Sequence, residues 1–189
     1  MKTLTFAFLL IGCLLQMTEV QAKTTASRIC LSPDCDKIEI RVNIDSGTDV
    51  ALPGSFGILA ATLQNDPRDG LGKVAYWTTQ NGWTPLTAGD LIKPAQETFS
   101  HLPFSKEYVI FKGSKDSICQ HSRGLGFNVF AWHVGMPLAK FNVLQSFISK
   151  YEITGQQAEN FMNSAQFFEA NKQRKVNLVY TFNCTSVER

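Results

Sequence analysis

From Ile38 to Ile44 every second side chain is aliphatic and β-branched (Ile38, Ile40, Val42, Ile44), and the residues between them, Glu39, Arg41 and Asn43, are polar. Only a pleated strand puts alternate residues on one face, so this stretch predicts a half-buried strand whose dry face needs a second layer. The same period returns near the end of the chain, where Val176, Leu178, Tyr180, Phe182 and Cys184 alternate with Asn177, Val179, Thr181 and Asn183. Between these two, Phe56 to Leu63, Glu107 to Lys112 and Phe127 to Val134 are short β-branched and aromatic runs bounded by turn residues, the pattern of more fully buried strands.

Lys73 to Gln80, Asn81-Gly82 and Trp83 form a hairpin signal, because Asn-Gly accepts the positive φ angles of a two-residue turn. In that register Gln80 pairs with Trp83 and Trp77 with Leu86. The two tryptophans then point to opposite faces, Trp77 into the core and Trp83 to an exposed rim. Thr154 with Gln157 three residues on is a capping-box pattern, and Ala158, Phe161, Met162, Ala165 and Phe168 follow at helical spacing, so a helix is expected from Gly155 to Ala170. Leu138 to Ile148 fits both periods and is read as a strand. Gly113 to Gly126, rich in Gly, Ser and Lys, is read as a loop. The expected fold is mainly β: an antiparallel β-sandwich of about six to eight strands with one amphipathic helix in the C-terminal half and two disulfides.

Met1-Lys2, the apolar run Leu4 to Leu15 and the small-residue end Val20-Gln21-Ala22 read as a secretory signal over residues 1–22. That run is too short to span a bilayer, which needs about 20 residues. A bacterial lipobox reading, with a lipid anchor at Cys13, is the disfavoured rival. Residues 23–37 are expected to form a polar leader, mobile over Lys23 to Ser27, with a short disulfide loop, and 38–189 a single β-rich domain. The expected location is secreted or periplasmic.

In an oxidising compartment Cys30, Cys35, Cys119 and Cys184 are by default two disulfides. Three connectivities are possible. The short Cys30-Leu-Ser-Pro-Asp-Cys35 loop favours a local bridge, which leaves Cys119 for Cys184. A zinc site of Cys30, Cys35, Cys119 and His121 has off-pattern spacing and is not favoured, so no metal and no cofactor is expected.

The formal charge of +2, from 18 basic and 16 acidic residues, lacks the basic excess of a nucleic-acid binder. There is no G-x-S-x-G elbow, H-E-x-x-H, P-loop or G-x-G-x-x-G. Cys119 with His121 is the nearest approach to a nucleophile and base, but a thiol in a disulfide cannot attack. His133 lies in an apolar strand and reads as a core histidine. Asp34/Asp36 and Asp66/Asp69 read as solvated turns rather than calcium ligands, and Lys172, Arg174 and Lys175 as a solvated helix end. Asn183-Cys184-Thr185 is a weak glycosylation sequon.

Val50-Ala51-Leu52-Pro53-Gly54-Ser55-Phe56, Tyr76-Trp77 with Asn81-Gly82-Trp83, and Tyr108-Val109-Ile110-Phe111 together resemble small exported bacterial β-domains that carry a Pro-Gly-x-Phe strand and an Asn-Gly-Trp hairpin. The resemblance implies bacterial export and a β-sandwich, and carries no functional residue across. The functional expectation is a non-enzymatic exported binding or surface-associated domain. It would meet a protein or glycan through Trp83, Asn81 and the loop holding His121. The alternatives are an exported hydrolase using Cys119 and His121, and an accessory subunit of a secretion or pilus assembly held by a sheet edge.

Overall fold

The structure is a computed structural model and describes residues 23–62, 74–85, 97–121 and 126–184. The expected signal segment with Cys13, and Asp66, Asp69 and Leu86, lie outside the described residues. Among the described residues nine strands and three α-helices follow in the order β1 (Thr25–Cys30), β2 (Lys37–Asp45), β3 (Gly54–Thr62), β4 (Val74–Thr78), β5 (Gly82–Pro85), β6 (Glu97–Phe99), β7 (Ser105–Ser114), α1 (Lys115–His121), β8 (Gly126–Gly135), α2 (Leu138–Lys150), α3 (Gly155–Lys172) and β9 (Val176–Asn183). All strand pairs are antiparallel. They form a three-stranded sheet, β1-β2-β7, and a second sheet, β5-β4-β3-β8-β9, in which β6 also pairs with β3.

The alternation in β2 decides which face is dry. Ile38, Ile40, Val42 and Ile44 are completely buried and meet Phe56, Ile58, Val129 and Ala131 from the second sheet, with Tyr108 and Ile110 beside them. Each such aliphatic side chain contributes roughly 1.5–3 kcal/mol on burial. This inter-sheet core is the main stabilising element. The second sheet has another buried face: Trp132 and Val134 of β8 point the opposite way and pack against Phe167 and Ala170 of α3.

Both disulfides join as the spacing suggests. Cys30–Cys35 closes the turn between β1 and β2, with a Cα–Cα distance of 4.8 Å, and Cys119–Cys184 ties α1 to the residue after β9 at 5.6 Å. Since α1 follows β7 of the small sheet and β9 edges the large one, the second bridge fastens one sheet to the other.

Five local expectations are corrected. Residues 25–30 are not a polar leader, mobile as far as Ser27, but the edge strand β1, paired with β2 from Thr25↔Asn43 to Cys30↔Ile38. Its side chains are mostly exposed, so main-chain bonding and the Cys30 bridge hold it rather than apolar burial. The presumed loop 113–126 contains α1, whose first turn is capped by Ser114 Oγ accepting from the Ser117 N–H at 3.3 Å.

Leu138 to Ile148 is helical, not extended. Pro137 starts α2 by offering its carbonyl to the amides of Lys140 and Phe141, and good helix formers outnumber the two β-branched residues that follow. In the β4–β5 hairpin Trp77 pairs with Trp83 and Thr78 with Gly82. Thr79-Gln80-Asn81 makes a three-residue loop and Gly82 takes the positive φ of 62°. That register differs by an odd number of residues from the two-residue turn, which brings both tryptophans to one face. Finally, α3 buries Asn163, Gln166 and Ala170, while Phe168 is exposed.

Candidate functional site

Trp83 is not a rim residue. Its indole N–H donates to the carbonyl of Ile110 at 2.8 Å and its ring packs on the inter-sheet core. The bond joins β5, an edge of the large sheet, to β7, an edge of the small one, so Trp83 closes that side of the sandwich. Asn81 stays exposed in the hairpin loop, where its main-chain N–H donates to Thr78 Oγ1 at 2.9 Å. His121 is the last residue of α1. Cys119 is bonded to Cys184, so the proposed Cys/His pair has no thiolate.

Another buried polar group occupies the opposite end of β3 and β8. Asp49, in the short 3-10 turn Gly47–Asp49, accepts from the Gly135 N–H at 2.7 Å and from Lys175 Nζ, and lies 3.7 Å from His133 Nε2. Lys175 is therefore not part of a solvated helix end; it is partly buried in an ion pair. His133 is 2% exposed, and neither ring nitrogen has a hydrogen-bond partner. Burial first, and then the Lys175 charge, push its pKa down to about 4. The imidazole is therefore neutral at ordinary pH: a core histidine as expected, but without the expected backbone hydrogen bond.

Ser55 looks like a possible nucleophile beside His133 and Asp49, but sheet geometry separates them. Ser55 pairs with Val134 and faces α3, where its hydroxyl donates to Gln166 Oε1 at 2.8 Å. His133 pairs with Phe56 and faces the inter-sheet core. Successive residues of a strand alternate between faces, so no Ser-His-Asp relay forms. The group is structural.

The surface that remains unexplained is helical. Among the described residues α2 buries none of its side chains. Leu138 and Val143 are 62% and 67% exposed, Phe168 on α3 is 61% exposed, and Phe147 and Tyr151 are also exposed. Phe147 stacks on Phe161 of α3 with ring centroids 5.3 Å apart and lies 4.5 Å from Tyr151, and Lys140 pairs with Glu169. These contacts hold α2 against α3; Phe141, Leu144 and Ile148 are half-buried, and Leu138, Val143, Phe147 and Tyr151 are left facing water. The exposed phenylalanines, valine and leucine could have been flagged from the sequence only if 138–148 had been read as helix.

The protein is thus a two-sheet, disulfide-stapled β-sandwich carrying a helical hairpin on one face of its larger sheet. The chain has no significant match among protein-family models, curated proteins or solved structures. No helix of the described residues is long and apolar enough to cross a membrane.

Proposed function

We propose that this is an exported binding domain whose contact surface is the α2–α3 hairpin and whose partner is another protein. The observation that carries the reading is a helix with no buried side chain that displays Leu138, Val143, Phe147 and Tyr151. Apolar and aromatic residues gathered on one exposed element mark interaction sites, whereas a stabilising helix buries its apolar stripe against the fold. Charge favours a protein over a lipid surface. From Leu138 to Lys172 three lysines (Lys140, Lys150, Lys172) meet three glutamates (Glu152, Glu159, Glu169), so the hairpin lacks the cationic excess that draws a helix to anionic lipid. Aromatic side chains such as Phe147, Tyr151 and Phe168 are the type that anchors protein interfaces.

The two disulfides fit an oxidising compartment and support export. A glycan partner at the β4–β5 hairpin is not favoured, because the Trp83 ring that would stack on a sugar is turned inward. The test is site-specific photocrosslinking in the producing cell, with the reactive side chain at Val143 on α2 or at Asn43 on β2. The expected result is a discrete protein adduct from position 143, absent from position 43 and lost when Phe147→Glu is added. Equal labelling from both positions, or none from position 143, would overturn it.

A further inference from the structure

One carboxylate holds both roots of the helical hairpin. Gly135, which ends β8 just before α2, donates its N–H to Asp49 Oδ2 at 2.7 Å, and Lys175, just beyond the end of α3, bonds the same oxygen through Nζ. The turn that carries Asp49 belongs to the sandwich, between β2 and β3. Gly135 comes so close that a Cβ there would lie 2.6 Å from Asp49 Cβ. The entry has a further tie, since the Met136 N–H donates to the Pro53 carbonyl at 2.8 Å.

A third group faces that oxygen. His133 stands on the same strand as Gly135, with Nε2 3.7 Å from Asp49 Oδ2 and no hydrogen-bond partner on either nitrogen. An imidazole only 2% exposed with both nitrogens unpaired is a destabilised group. The charged groups around the ring come from three places: Asp49 from the 3-10 turn, Asp45 from the end of β2 and Lys175 from beyond α3. Asp45 is turned to the Gly47 N–H at 2.7 Å and has the weakest influence of the three. Its sheet neighbour β3 carries no ionisable residue, and Glu97, on the far side of Phe56, is held by Lys106 and Tyr108.

A proton taken from water by His133 puts two cations beside Asp49. The imidazolium is shut in, whereas the Lys175 side chain is 22% exposed and can reach solvent, so the ammonium is the group that leaves. Its departure removes the like charge that opposes protonation, and Asp49 becomes the counter-ion of the imidazolium. The seam that α3 then relies on is poorly bonded. Trp132 Nε1 and Gln166 Nε2 are buried there without partners, and both regain water when α3 lifts.

We infer that Asp49 is a latch that ties both roots of the α2–α3 hairpin to the sandwich, and that protonated His133 opens it by taking the carboxylate from Lys175. The bonds of Gly135 and Met136 stay, so the hairpin swings out about its entry while the inter-sheet core is kept. A buried histidine that exchanges partners on protonation is a known way to bias a two-state element. The inference concerns how the hairpin is held, and stands whether or not that hairpin binds a protein.

The test measures two distances by pulsed electron spin resonance in the full, disulfide-bonded chain carrying nitroxide-bearing unnatural residues. One pair joins Val143 on α2 to Val109 on β7, the other Leu178 on β9 to Val109; all three positions are exposed. At pH 7.5 both distributions should be narrow. At pH 4.5 the 143–109 distribution should gain a broad second component, with the ratio of open to closed chains raised at least about tenfold, while 178–109 stays narrow.

His133→Gln should remove the acid component, and Asp49→Asn should show it already at pH 7.5. The native-chain titration stands by itself if either variant fails to fold. A 143–109 distribution still narrow at pH 4.5, an acid component that persists in His133→Gln, or broadening of both pairs together would each overturn the inference.

Discussion

The inter-sheet core and the helical hairpin are built on opposite rules. In β2 every second residue is fully buried, and its outward-facing Glu39 is itself covered, paired with Arg41 and with Lys112 at 3.3 Å. In α2 no side chain is fully buried, and Leu138, Val143 and Phe147 face water. Between them lies the seam under α3, where Trp132 lies against Gly57 and Ser55 is bonded to the buried Gln166, whose Nε2, like Trp132 Nε1, has no hydrogen-bond partner. The contrast teaches where stability is made and where it is not. The sandwich holds itself, α3 is fastened to it by a mixed seam, and α2 is carried outward on α3. A graded series of perturbations from the sandwich to the hairpin should therefore show falling cost.

The largest loss is expected for the inter-sheet bridge. In the chain-entropy model the Cys119–Cys184 link, which closes 65 residues, contributes about 4 kcal/mol, and the five-residue Cys30–Cys35 link about 2 kcal/mol. Paired Cys→Ala variants compared by urea unfolding should lose stability in that order. Equal losses would show that the two sheets are not held together by the longer bridge.

Acid should come next, through His133. Its pKa is depressed to about 4 in the fold against 6.5 in the unfolded chain, so between those values the unfolded state binds the extra proton. Stability is then complete above pH 6.5 and declines as the pH falls toward 4, by about 3 kcal/mol at the limit. The groups facing the ring, Asp49, Asp45 and Lys175, act in opposite directions and leave burial as the dominant cause. Urea midpoints from pH 7.5 to 4 should fall, and His133→Gln should flatten that part of the curve. An unchanged slope in the variant would assign the acid sensitivity elsewhere.

How much of this was readable before the structure follows the physics of each element. The strands at 38–44, 127–134 and 176–184, both disulfides and the helix from Gly155 were legible, because periodicity, loop length and a cap residue are local signals, although Thr154 stands at the N-cap without the side-chain bond of a capping box. What was missed depended on partners. The strand β1 has no apolar period because its holding force is main-chain pairing with β2. The hairpin register turned on whether Gly82 closes a two-residue or a three-residue loop, which Asn-Gly alone does not decide.

For 138–148 two periods competed, and Pro137 was the deciding signal. The α3 face was misassigned because sequence reasoning sends phenylalanine inward and glutamine outward. Here Gln166 is buried by its bond to Ser55, 111 residues away, and Phe168 is left outside. For the sites, Asn81 lies exposed in the hairpin loop and Trp83 is turned onto the core, and the Glu97–Lys106 pair joins β6 and β7 through contacts no spacing reveals.

The seam under α3 should respond more weakly than the sandwich but clearly. A Cβ at Gly57 would sit 2.2 Å from the Trp132 ring, and Trp132 is fully buried, so Gly57→Ala should cost about 2 kcal/mol by overpacking. Because the conflict lies between β3 and β8 under α3, near-ultraviolet circular dichroism of Trp132 should change while the disulfides stay formed. A neutral outcome would mean that α3 yields freely, and that the hairpin is even less tied to the sandwich than its contacts imply.

The smallest effect belongs to α2 itself. Val143 is exposed and touches no buried cluster, so Val143→Ser should change stability by no more than about 0.5 kcal/mol, the ordinary range for surface substitutions. The same change at Ile40, wholly buried in β2, removes the aliphatic contacts and buries a hydroxyl without a partner, which should cost several times as much. Denaturant midpoints for the two variants give the ratio directly. If Val143→Ser were as damaging as Ile40→Ser, α2 would be part of the folding core and its apolar face would have a structural purpose inside this chain. A near-silent Val143→Ser leaves the exposed residues without any use in stability, and they would then be kept on α2 by what they meet outside it.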